Sequence, residues 1–281
     1  MSTERTRLRL LSIAAVILAV LVAVAAAGGI LIPSVYARET ASWAAQGFGQ
    51  DWVDLLVVAP LLVVCAVAIR RGSRAALLVL GGALIYVVYS FVLYALAMHF
   101  NRLFLVYCAA LGVAFYVLLG LAVHLYRVEA EVWFRDHLPF TKFGGAFLIV
   151  VSVGFAGLWL SSVIPALVRG SPPAELAETG LITNPVHVLD LALMLPALFA
   201  SGMLLLRRRG AGLVLAPIMV SFNALMTLAL VGMMIAMRQR GFAADLTVVG
   251  AMTVLAAISV FLLIAFVQPL RRHARCTVDL A

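Results

Sequence analysis

The chain has 281 residues, of which 65% are hydrophobic and only 11% charged, against roughly 45–50% apolar and about 25% charged in an average soluble domain. That composition predicts an integral membrane protein and excludes a water-soluble fold. The formal net charge of +8 would suggest a nucleic-acid partner in a soluble chain, so what matters is where the charges fall.

A helix that crosses a hydrocarbon core of roughly 30 Å needs about 20 apolar residues at 1.5 Å each. Eight segments qualify: Leu10 to Ile32, Trp52 to Ile69, Ala75 to Ala97, Leu103 to Tyr126, Phe143 to Val168, Val186 to Leu206, Ala211 to Met237 and Leu246 to Leu270. The first also has features of a cleaved signal peptide, because Arg5, Arg7 and Arg9 precede an apolar run that ends in Ala25, Ala26, Ala27 and Gly28. The run is about 23 residues long, beyond the roughly 7–15 of a signal h-region, so a retained span is expected.

Basic residues near span ends orient a membrane protein. With the N-terminus in the cytoplasm, that side holds Arg5, Arg7, Arg9, Arg70, Arg71, Arg74, Arg127, Arg135, Lys142, Arg207, Arg208, Arg209, Arg271, Arg272 and Arg275, and the other side only Arg38, Arg102, Arg169, Arg238 and Arg240. Both termini are therefore expected in the cytoplasm, which requires an even number of spans. Lys142 is the sole lysine, and the Arg bias is read as a GC-rich bacterial origin, hence a bacterial cytoplasmic membrane. The excess charge then meets anionic lipid, and the expected partner is the bilayer, not nucleic acid. Cys65 and Cys108 fall inside spans and Cys276 in the tail, so no disulfide framework is present.

The two halves of the sequence look alike. Asp54-Leu55 precedes Pro60 and then Arg70-Arg71-Gly72; Asp190-Leu191 precedes Pro196 and then Arg207-Arg208-Arg209-Gly210. An Ile-Pro pair closes an earlier span in each half, at Ile32-Pro33 and Ile164-Pro165. This predicts an all-α fold of eight spans arranged as two parallel four-helix repeats, residues 1–126 and 143–281, joined by a cytoplasmic linker, 127–142.

Ionisable groups inside hydrocarbon are costly and usually face a bundle interior. Counting about 20 residues outward from Arg70 and Arg207 puts Asp54 and Asp190 a few residues inside the boundary. Asp51 and Asp54 form D-x-x-D on the second span, and His187 and Asp190 form H-x-x-D at matching positions of the sixth; residues three apart share a helix face. Such pairs resemble the carboxylate and imidazole ligands of metal-binding bundles. Equally, carboxylates in a first helical turn favour the dipole and cap free N–H groups, and Asn184-Pro185 reads as a cap followed by proline at the first helical position.

Deeper in the third span, Tyr86, Tyr89, Ser90 and Tyr94 follow helical spacing, and Ser221, Asn223 and Thr227 sit at matching depth in the seventh. They either line a polar cavity between the halves or make interhelical hydrogen bonds; Asn223 needs partners in either case. His99, Asn101, Arg102, Arg238 and Arg240 on outer turns are positioned to pair with the aspartates or to be solvated surface. His124 near an inner end reads as a packing residue, and Gly154 and Gly157 as sites of close helix approach. No P-loop, G-x-G-x-x-G, H-E-x-x-H or C-x-x-C occurs, and no cofactor is indicated.

The run Gly49-Gln50-Asp51 leading to Asp54 and Pro60, the Arg71-Gly72-Ser73 turn, the stretch Asn101-Arg102-Leu103-Phe104-Leu105 and the segment Leu189-Asp190-Leu191 to Pro196 together resemble a family of multispanning bacterial membrane proteins with no assigned activity. The resemblance covers most of the chain from Gln50 to Arg209 and implies a fold without implying a reaction. The leading expectation is a carrier or permease for a small solute or ion, with Asp54, Asp190, Asp51, His187, Asn223 and Tyr89 as ligand-binding candidates. Two alternatives stand beside it: an assembly or scaffold subunit without catalysis, and a membrane enzyme with an outward-facing metal or acid–base site built from Asp51, Asp54, His187 and Asp190. Whether Asp54 and Asp190 meet across the repeat axis decides how such a site is built.

Overall fold

The computed structural model describes residues 2–134, 139–242 and 245–276, and those residues contain helices and connections only. Arg135 lies outside the described residues, as do the side chains of Arg271, Arg272, Arg275 and Cys276. Eight helices are long and apolar enough to cross a membrane: Glu4–Leu31, Ala41–Arg70, Arg74–Ala97, Phe104–Arg127, Thr141–Arg169, Pro185–Leu206, Gly210–Gln239 and Leu246–Leu270. They are numbered here as the first to eighth spans, and they are consistent with an integral membrane protein.

Seven of them begin and end within a few residues of the segments read from hydropathy, apart from the N-terminal extension of the first. The second span differs: it starts at Ala41 and not near Trp52. Ser42, Gln46, Gly47 and Gln50 dilute its apolar signal, yet Ser42, Gly47 and Gln50 are buried. Asp54 therefore sits in mid-helix, about 20 Å from the start of the span at 1.5 Å per residue, and is not a first-turn capping residue.

Helix starts follow local chemistry. The hydroxyl oxygens of Thr40 and Ser73 accept from the backbone N–H of Trp43 and Ala76 at 3.3 and 3.2 Å, and Asn184 Oδ1 accepts from Val186 at 3.0 Å, each satisfying an N–H that has no partner within its helix. The short turn between the second and third spans closes at Gly72 with φ of 79°, a left-handed conformation that costs glycine little.

The third and seventh spans form the centre: 78% and 67% of their most apolar windows are buried, against 22–44% in the other six. The first span packs along the second and fourth, and the fourth along the third; Leu18 and Val22 are fully buried there, so the first span is an integral member of the bundle. The fifth span packs on the sixth, the sixth on the seventh and the seventh on the eighth, while the seventh also crosses the second and third. At that crossing a Cβ added to Gly82 would lie 2.5 Å from the Ile218 carbonyl oxygen and 2.7 Å from the Phe222 nitrogen, and would overlap Ser221 Cβ. Gly49 and Gly232 face each other in the same way, a Cβ on Gly232 falling 2.8 Å from the Gly49 carbonyl oxygen.

Gly154 and Gly157 do not serve close approach. Both face open space, and the fifth span instead meets the sixth at Gly145, against Gly202.

Candidate functional site

Asp54 and Asp190 share one backbone device. Each opens a π turn, Asp54–Val58 in the second span and Asp190–Met194 in the sixth, closed by the N–H of Ala59 on the Asp54 carbonyl and of Leu195 on that of Asp190. Pro60 and Pro196 follow immediately. A proline has no N–H to donate and its ring presses on the carbonyl four residues back, and a wider i→i+5 turn just before it provides the room. The Asp-x5-Pro spacing noted in the sequence is the local cause.

The two carboxyls are then used differently. Asp51 and Asp54 are each 1% exposed. Asp51 accepts from Tyr36 at 2.6 Å and from Tyr94 at 2.7 Å, one hydroxyl on each oxygen, and packs against Gly29 of the first span, where a larger side chain has no room. Burial, reinforced by the Asp51 carboxyl, pushes the Tyr36 hydroxyl above its ordinary titration range, which keeps it a donor. Asp54 accepts from Tyr86 at 2.7 Å, with the Gln50 side chain beside it. Asp190 is only half-buried. It accepts from the Trp159 indole N–H at 2.8 Å, and the Tyr89 hydroxyl turns to the same carboxyl.

Tyr86 and Tyr89 sit three apart on the third span, so that span holds one tyrosine to each aspartate. Asp54 and Asp190 thus engage different tyrosines of the third span, and of the two only Asp190 lines the cavity described below. Among the described residues no group of three or more His, Cys, Asp and Glu is close enough to hold a metal ion, and no Lys, Arg or His lies within 4 Å of Asp51, Asp54 or Asp190 as an ion-pair partner.

The end of the bundle that carries the connections at 32–40, 98–103, 170–184 and 240–245 is called the distal end, and the other the N-terminal end. From the distal end a cavity of about 310 Å³ descends between the two halves of the chain. Its walls include Trp43, Gln50, Tyr89, Tyr94, Phe155, Trp159, His187, Asp190, Phe222 and Asn223, and its mouth Met98, Glu175, Glu178 and Met237. Tyr86 lies near the floor, eleven residues from the distal end of its span or roughly 16 Å down. Of the six residues singled out in the sequence, Asp190, His187, Tyr89 and Asn223 line this cavity. Asp51 and Asp54 lie behind the wall that Gln50, Tyr86 and Tyr94 make.

His187 is buried, its ring 4.5 Å from that of Trp159 and its Nε2 3.7 Å from Glu175 Oε1. Asn184 caps its N–H, so the cap and the side chain's placement in the wall are compatible. Asn223 finds its partner on the eighth span, donating to Ser259 Oγ at 2.9 Å. The rim residues do not reach the aspartates: His99 bonds to Glu39 at 3.0 Å, Asn101 Oδ1 caps Leu103, and Arg240 stacks over Phe48 at 4.3 Å. His124 is buried near the N-terminal end, as expected of a packing residue.

Trp159, Trp43, Glu175 and Gln50 had not been singled out from the sequence. Trp159 had one legible signal, an indole N–H inside an apolar span that requires an acceptor; the others acquire meaning only through helix crossing. A second, apolar depression lies toward the N-terminal end, between the third, fourth and seventh spans, with Ile85, Leu121 and Ile218 in its wall. Compared with known protein families, with curated proteins and with solved structures, the chain gives no match.

Proposed function

We propose that this chain is a carrier for a small solute, built as two parallel four-helix halves, residues 1–126 and 143–281 joined by 127–142, with its binding site in the distal cavity. The observation that carries this reading is the thinness of the barrier below that cavity. On the seventh span Phe222 lines the distal cavity and Ile218, one turn away, lines the depression at the other end. On the third span the adjacent Tyr86 and Ile85 line the two spaces from different faces of the helix. The close crossing of the third and seventh spans, where Gly82 meets Ile218 and Phe222, lies between the two spaces.

The repeated π turn before Pro60 and Pro196 supports the duplication, and parallel halves are a recurrent carrier design. The distribution of basic residues supports a cytoplasmic N-terminal end and an outward-facing distal cavity in a bacterial cytoplasmic membrane. Asp190, held by Trp159 and Tyr89 and open to the cavity, is the ligand-facing acid in this reading; Asp51 and Asp54 hold the first, second and third spans together.

A carrier exposes its site to each side in turn, which can be tested without knowing the solute. With the native cysteines replaced, Met226→Cys in the cavity wall is expected to react with a membrane-impermeant thiol reagent from the distal side of oriented vesicles and, more slowly, from the other side. Reaction from the distal side alone, under every condition tried, removes the carrier reading.

A further inference from the structure

The lining of the distal cavity is selective in charge. Twenty Lys and Arg residues occur in the chain, and among the described residues none of them lines the cavity, whereas Asp190, Glu175 and Glu178 do. The rest of the wall is chiefly aromatic and aliphatic, with Trp43, Phe155 and Phe222 among its larger members. Asp190 is held in place by the Trp159 N–H at 2.8 Å, and Trp159 is braced by the His187 ring.

Three classes of ligand can be compared in such a space. An anion would meet three carboxylates and no arginine or lysine. A neutral apolar molecule would strip water from Asp190 and supply nothing in return, which is costly for a charged or polar group. A cation with an apolar body satisfies both parts of the wall: its charge pairs with Asp190 in a low-dielectric setting, and its body covers aromatic faces that attract cations. The volume of about 310 Å³ falls at the lower end of the range for small-molecule sites.

Resting on the reading of the cavity as a ligand site, we propose that its ligand is a lipophilic organic monocation, an aromatic or alkyl ammonium whose charge sits at Asp190 and whose apolar body lies against Trp159, Phe155 and Phe222. The size and lining suit a single-ring or two-ring cation in preference to an inorganic ion, which would leave the aromatic walls unfilled.

The test uses the full chain in detergent and three probes of similar shape: benzyltrimethylammonium, its neutral isostere neopentylbenzene, and benzenesulfonate. Binding is followed by quenching of tryptophan fluorescence, Trp43 and Trp159 being in the wall, and by equilibrium dialysis. The expected result is saturable binding of the cation, at least tenfold weaker binding of the neutral isostere and none of the anion. Asp190→Asn is expected to weaken the cation at least tenfold, whereas Asp245→Asn, on the exposed start of the eighth span, leaves it unchanged. Equal binding of cation and neutral isostere, or binding of the anion, overturns the proposal, and this comparison needs only the unaltered protein. Failure here and failure of the carrier reading are separable in reconstituted vesicles. Cation binding without flux leaves the ligand assignment standing and removes transport, while two-sided reactivity at position 226 without cation binding does the reverse.

Discussion

The same substitution, Gly to Ala, is expected to act with opposite sign at Gly82 and Gly154. At Gly82 the new Cβ would stand 2.5 Å from the Ile218 carbonyl oxygen and 2.7 Å from the Phe222 nitrogen, where an ordinary contact is 3.4–4 Å. Both neighbours are backbone, so no rotamer relieves the overlap, and the third and seventh spans must separate by roughly 0.9 Å. Overpacking of this kind costs about 1–3 kcal/mol. At Gly154 nothing lies within 4 Å, and only helix propensity changes, which favours Ala by about 0.8–1.0 kcal/mol. Propensity is common to both positions, so the difference between the two variants isolates the packing penalty of about 1–3 kcal/mol. Reversible unfolding of the purified protein in mixed detergent micelles, with both variants measured against the parent, gives that difference. If Gly82→Ala is as stable as Gly154→Ala to within about 0.5 kcal/mol, the close crossing of the third and seventh spans is wrong, and with it the seal assigned between the two cavities.

Three other outcomes follow from particular contacts. Tyr86→Phe leaves a fully buried carboxyl short of one donor and is expected to cost about 1.5 kcal/mol, at the lower edge of the range for hydrogen bonds to charged groups and near the upper end for bonds between membrane helices. In an Asp54→Leu background the same change is expected to cost almost nothing, and a double-mutant cycle with coupling below about 0.3 kcal/mol would contradict the bond. Asn184→Ala, by freeing the N–H groups of Val186 and His187, should lose about 1 kcal/mol, whereas Asn184→Asp retains an acceptor and most of the stability; equal losses for the two would exclude capping. For orientation, Ser171→Cys is expected to be labelled by an impermeant maleimide on intact cells and Ala211→Cys only after the membrane is opened, both in a cysteine-free background, and the reverse pattern would invert the assignment made from basic residues.

Hydropathy alone located all eight long apolar helices, because a sum over apolar residues does not depend on which neighbours they meet. It failed at the start of the second span, where Ser42, Gly47 and Gln50 are buried by packing and not by apolar character; Gly49 in the same stretch meets Gly232, more than 180 positions away. The candidate site was legible in part for the same reason. Asp190, His187, Tyr89 and Asn223 stand out as polar groups in apolar runs. Their division into a cavity set, with Asp51 and Asp54 set apart behind tyrosines, depends on how the helices cross. Spacing within one helix holds no information on that. Nor did spacing show that the rim would satisfy itself, His99 with Glu39 and Arg240 with Phe48, so that among the described residues no ion pair reaches the aspartates.

The asymmetry between the halves bears on function more than their likeness does. Both use an aspartate, a π turn and a proline, so the backbone places each carboxyl in the interior at a comparable distance from its basic turn, some 16–17 residues or roughly 25 Å. A carboxyl in that position must be satisfied by neighbouring groups or left facing a water-filled space. The first half takes the former course: Tyr36 and Tyr94 bond to Asp51 and Tyr86 to Asp54, and the second span extends well past both on the distal side. In the second half the corresponding stretch is broken into the short helix Ala174–Thr179 and a connection to Asn184, so the span that carries Asp190 begins only at Pro185, and Asp190 is half-buried and lines the cavity. The break that removes this cover also brings Glu175 and Glu178 to the cavity mouth. One interruption of a helix therefore opens the cavity and makes its lining acidic, which is why the ligand assignment and the carrier reading converge on Asp190 and not on its buried counterpart.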